Sequence, residues 1–102
     1  MVNNISLQNV QEAIGKVTHP AISRTLVDLG MVKDIRLHGK EARLTLFLPV
    51  LSIPAPVKDY LTNSLREAVA ALDVRLEVEI AQMNDEERQA FLAMEQESWK
   101  GL

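Results

Sequence analysis

The sequence predicts an α+β fold, a two-layer sandwich in which a small mixed three-stranded sheet carries helices mainly on one face. The predicted order is helix, short turn, strand, strand, helix, strand, helix. Three observations predict it. Apolar residues recur at three- and four-residue spacing before residue 18, after residue 56 and after residue 90, but at two-residue spacing from Val32 to Leu48 and from Val74 to Ile80. The prolines, at 20, 49, 54 and 56, fall at the joins between these stretches. The second strand, the long helix and the third strand also form a unit of the usual hand, a right-handed crossover that lays the helix on one face of the sheet.

Each element has its own local reason. Ser6 is placed to cap a first helix with Leu7, Val10, Ala13, Ile14 and Val17 along one face, and Pro20 ends it. A proline disfavours helical geometry in the residue before it, so His19 is expected to be extended or in a turn. Ile22, Leu26 and Leu29 predict a short helical turn stopping at Gly30, which can adopt the left-handed conformation of a C-cap. Ile35 and Leu37 alternate with Asp34, Arg36 and His38, the chain reverses around Gly39, and Ala42, Leu44, Leu46 and Leu48 alternate with Arg43 and Thr45. This is a hairpin with one buried face. Pro54 and Pro56 mark the start of the next helix, with Ser52 as the candidate cap and an apolar stripe through Val57, Tyr60, Leu61, Leu65, Ala68, Val69 and Leu72. Val74, Leu76, Val78 and Ile80 face one way on the last strand, and Arg75, Glu77 and Glu79 the other. Asn84-Asp85-Glu86-Glu87 has the form of a capping box opening a final helix over about 85–100, with Phe91, Leu92, Met94 and Trp99 on its modest apolar side. Packing across the sheet is the favoured reading of Phe91 and Trp99, with docking on a partner or a homodimer seam as the other.

With 102 residues, 47% hydrophobic and 25% charged, the chain suits one domain over 1–102 and buries roughly two-thirds of its unfolded surface. There is no cysteine, so a disulfide, a thiol nucleophile and a cysteine-held cluster within the chain are excluded. A net charge of -3 with scattered Lys and Arg argues against nucleic acid as the partner. No apolar run is long enough to span a bilayer, and Met1-Val2-Asn3-Asn4 lacks the form of a signal peptide, so the expected location is the cytoplasm without membrane attachment.

No constellation of catalytic or ligating residues emerges. His19 and His38 are far apart and lack local ligand spacing, so no metal site is expected. His19, Ser23 and Asp28 supply the residue types of a hydrolytic triad without the strained turn that presents a nucleophile, and Ser23 reads as a cap or surface serine. Asp85, Glu86 and Glu87 are explained by the positive end of their helix. The glycines at 15, 30, 39 and 101 form no phosphate-binding loop. The expectation is a protein without enzymatic activity.

The segment His19-Pro20 through Val27-Asp28-Leu29-Gly30-Met31-Val32 resembles the signature of the iron-sulfur cluster assembly domain family. That signature has Asp-Pro-Glu, a spacer, then Val-Asp-Leu-Gly-Leu-Val. His19 and Ala21 stand where the two acidic residues usually are. Stand-alone members often carry a Cys-Pro pair after a Leu-Thr-Leu-Thr strand; here Leu44-Thr45-Leu46-Phe47 and Ile53-Pro54 fill those places, and isoleucine has no thiolate chemistry. The His-Pro start and the Leu48-Pro49 opening of the loop are similar to the version fused to Mrp-type P-loop ATPases, which also often lacks the cysteine.

The resemblance covers roughly residues 7 to 81. It implies an accessory role in iron-sulfur cluster assembly or metalloprotein maturation, through recognition of scaffold, carrier or apo-acceptor proteins, with no cofactor bound by this chain alone. The residues it singles out for partner contact are Asp28, Gly30, Met31, Val50, Leu51, Ile53 and Pro54. For Asp28, capping or a salt bridge is the alternative; for the loop from Val50 to Val57, an apolar rim and a plug for the core are equally open readings. Other functions open to the same architecture are a dimeric interaction module unrelated to iron and sulfur, and a sensor with a small-ligand cavity between sheet and helices.

Overall fold

The computed structural model describes residues 6–20 and 22–99. The readings of Met1 to Asn4, Ala21, Lys100 and Gly101 fall outside them. The elements are α1 (Leu7–Ile14), β1 (Val32–His38), β2 (Glu41–Leu48), α2 (Ala55–Ala70), β3 (Arg75–Gln82) and α3 (Asp85–Ser98). Their order and the mixed sheet are those the sequence predicts.

The sheet runs β1-β2-β3, with β1 antiparallel and β3 parallel to the central strand. Parallel pairing of β2 with β3 needs a long connection, and α2 supplies it. On one face Ala42, Leu44, Leu46 and Leu48 are buried under Val10 and Ile14 of α1 and Leu61, Leu65 and Val69 of α2. Full burial of each large aliphatic side chain here contributes about 2 kcal/mol. The opposite face is charged. Arg43 stands directly across from Glu77, with a 3.0 Å ion pair, and Glu41 across from Arg75 at 3.9 Å. Opposite charges in register favour this pairing of β2 with β3.

In β1 a bulge sets Asp34 and Ile35 against Leu44, between the Lys33–Thr45 and Arg36–Arg43 pairs. Asp34 takes φ +56° there, a conformation that aspartate tolerates better than most residues. The extra residue keeps Val32 and Leu37 on the core face on either side of it.

Four local expectations are corrected. The first helix stops at Ile14, before Val17 and well before Pro20: Gly15 caps it, Lys16 and Val17 donate to Ala13 and Ile14 in tightened turns, and Thr18 instead pairs with Thr25. Glycine and the β-branched pair Val17-Thr18 favour leaving the helix there. Pro54, not Ser52, is the N-cap of α2, because Pro56 fits the first turn, where its missing N–H leaves no bond unmade. Val57 and Tyr60 of the predicted stripe are exposed, as is Ile80 at 44%, which sits on the edge strand β3 beside the fully buried Leu46 of the central strand. The final helix ends at Ser98, with Trp99 as its C-cap.

Candidate functional site

The signature segment folds as a closed loop followed by a capped turn. The N–H of His19 donates to the Arg24 carbonyl at 3.0 Å and that of Leu26 to Val17 at 2.9 Å, beside the Thr18–Thr25 bridge. Thr25 then caps the turn: its Oγ1 accepts the Asp28 N–H at 3.1 Å. The end is a Schellman motif, in which Met31 donates to Leu26 and Gly30 to Val27, both at 3.0 Å, with Gly30 at φ +73°. Met31 is thereby buried, and its carbonyl accepts the Phe47 N–H at 2.6 Å, tying the turn to β2.

The loop after β2 and the first turns of α2 lie beside it. The Leu48 carbonyl accepts the Met83 N–H at 2.8 Å, and the Pro54 carbonyl accepts those of Val57 and Lys58 at 3.0 and 3.3 Å. Val57 and Leu61, one helical turn apart, share a face of α2.

The third wall is α3, which is anchored at both ends. At its start Asn84 and Glu87 form a reciprocal capping box, and Glu87 pairs with Lys33, whose ammonium also lies 5.2 Å from the centre of the Phe47 ring. The Lys33 hydrogen bond, followed by that from the Asn84 N–H, holds the Glu87 carboxyl below its ordinary pKa against a smaller opposing effect of desolvation. At its end the Ser98 carbonyl accepts the Ser23 N–H at 2.7 Å, Ser98 Oγ accepts from Arg24 Nε at 3.0 Å, and Ile22 and Trp99 form a bridge. Between the anchors, the buried Phe91 ring lies 6.5 Å from that of His19, tilted by 59°.

These segments enclose a groove of about 350 Å³. His19, Pro20 and Met31 line it from the signature, Pro49 and Ile53 from the loop, and Val57 and Leu61 from α2. Phe91 and Glu95 of α3 and its C-cap Trp99 line it too, at i, i+4 and i+8. The lining is apolar apart from the imidazole and the Glu95 carboxylate. It holds no hydroxyl, thiol or amine nucleophile, and among the described residues no three His, Cys, Asp or Glu group together as metal ligands. Chemically it is suited to taking apolar groups out of water.

Of the residues singled out in the sequence, the fold brings Met31 and Ile53 together in this groove. Gly30 sets the turn that buries Met31. Asp28 is exposed on that turn, Val50 and Leu51 are exposed in the loop, Pro54 caps α2, and none of these four lines the groove. Sequence reasoning missed the convergence of His19 and Pro20 with Phe91, Glu95 and Trp99. The available signal was the exact one-turn spacing of those three α3 residues.

No helix among the described residues is long and apolar enough to cross a membrane. No curated protein matches the chain. Residues 7–81, well over half of the chain, match the sequence model of the family described as iron-sulfur cluster assembly protein, and the chain belongs to that family.

Proposed function

We propose that the chain is a non-enzymatic accessory protein of iron-sulfur cluster assembly or metalloprotein maturation, working in the cytoplasm by recognising other proteins. The observation that carries this reading is the apolar groove in which the family's signature turn and the loop after β2 meet α3. Exposed Val50 and Leu51 precede the lining residue Ile53 in the loop, and Val57 and Trp99 of the lining are themselves partly exposed. Clustered apolar surface of this kind marks a contact site for another protein. The cluster itself is cargo held by cysteines of the partner, since this chain has none. Scaffold, carrier or apo-acceptor proteins are the partners this role requires, and no bond is made or broken by the chain.

The test is anaerobic capture from native extract with the tagged protein, alongside Val57→Asp and Leu51→Asp, with Leu92→Asp on the exposed side of α3 as control. Enrichment of iron-sulfur scaffold, carrier or acceptor proteins by the parent and the control, lost in the first two variants, supports the role and the surface. Recovery of only a second copy of the chain, or of proteins unconnected with iron and sulfur, overturns it in favour of a dimeric interaction module.

A further inference from the structure

We infer that the groove receives an extended segment of a partner protein that carries an apolar side chain next to a lysine or arginine, and that Glu95 and Trp99 recognise the cation. This rests on the reading of the groove as a recognition surface and adds the chemistry of what it recognises. Glu95 is half-buried beside apolar lining, and its carboxylate makes no hydrogen bond or ion pair among the described residues. A carboxylate in such surroundings gains from a cation more than it would in open water, because less solvent screens the pair. One turn on, Trp99 is 53% exposed and lines the same groove. An indole face attracts an ammonium or guanidinium and gives nothing comparable to an anion.

Two independent features therefore select the same charge. The remaining walls, Pro20, Met31, Ile53 and Phe91 among them, select an apolar neighbour and the methylene stem of the cation itself. At about 350 Å³ the groove is at the small end of ligand pockets, with room for side chains but not for a folded element. Glu95 on α3 and Trp99 at its C-cap lie beyond residues 7–81 of the family match, so partner choice is set by a helix appended to the shared core.

Trp99 is the only tryptophan of the chain, so its emission reports directly on the groove. Phage-displayed random dodecapeptides are selected against the parent and against Glu95→Lys, and the most enriched synthetic peptide is titrated into the parent and Glu95→Gln, with circular dichroism checking that both variants fold. The expected result is enrichment of Lys or Arg beside Leu, Ile or Phe, a change in Trp99 emission on binding, and affinity weaker by about tenfold in Glu95→Gln. Selection on Glu95→Lys is expected to lose the cation preference. Apolar peptides without a cation, cationic peptides bound equally well by Glu95→Gln, or no enrichment at all overturn the inference. The first of these leaves the recognition role standing. Cationic peptides that depend on Glu95, together with failure to capture iron-sulfur proteins, would instead retain this site and remove the proposed role.

Discussion

The backbone N–H of Ser23 donates to the carbonyl of Ser98 at 2.7 Å, joining the segment after the His19-Pro20 pair to the end of α3. The two residues are far apart in sequence, Ser23 before β1 and Ser98 at the end of α3, and the bond closes the groove on its third side. With the Arg24 contacts to Ser98 and Glu97, it makes the position of Trp99 a consequence of the signature segment's own fold. The family core and the appended helix are thus one structural unit at this end of the sheet.

Phe91 carries most of the apolar burial that holds α3 in place. It is the one buried residue of that helix, whereas Leu92 beside it is exposed. Phe91→Ala is expected to cost about 3 kcal/mol through lost burial and a residual cavity, and Leu92→Ala less than about 0.5 kcal/mol. Urea unfolding of both variants checks the contrast. Comparable losses would mean that α3 is not held through its Phe91 face.

Gly30 tests the signature turn. A Cβ added there meets nothing within 4 Å, so the cost of substitution comes from φ +73° and not from a clash. Gly30→Ala is expected to destabilise by about 1 kcal/mol, and Gly30→Asn by less, because asparagine tolerates the left-handed region. Thermal unfolding of the two variants measures the difference. Equal losses would point to a steric cause the geometry does not contain.

These two sites also show what the sequence made legible. The capped turn at Gly30, the hairpin, the alternation of β3 and the Asn84 box are local, so residue type and spacing were enough to read them. The end of α1 was misplaced because Pro20 is a stronger visible stop than Gly15, although the chain turns away to form the Thr18–Thr25 pair first. Ile80 shows a different limit: two-residue periodicity assigns it to the helical face but cannot say that β3 is an edge strand, where that face is left exposed. The groove was half legible. Met31 and Ile53 follow from motif positions, whereas the approach of Phe91 to His19 depends on a tertiary contact between residues 72 positions apart.

Glu87 gives a pH dependence with a definite sign. Its folded pKa is lowered from 4.5, chiefly by the hydrogen bond from Lys33 and then by the Asn84 N–H. The corresponding stabilisation is present above the unfolded value and is lost as pH falls through the folded one, because the unfolded chain takes up the proton first. The melting temperature of Glu87→Gln should therefore fall less steeply than that of the parent below about pH 4.5. Parallel acid limbs in melts at matched ionic strength would show that the pair contributes nothing to the acid-side loss.

The loop after β2 distinguishes a contact rim from a core plug at single residues. Leu51 is 49% exposed, while Ile53, two residues on, is half-buried, packs against the core and lines the groove. If Leu51 is rim, Leu51→Ser should change stability by less than about 0.5 kcal/mol, yet still weaken partner capture. Ile53→Ser should weaken capture too, but with a stability loss of about 1–2 kcal/mol from the apolar contact it gives up. Urea midpoints and capture yields measured on the same two variants separate the effects. A stability loss at Leu51 equal to that at Ile53 would make the whole loop a plug, and its exposed side chains would then be a by-product of closing the core.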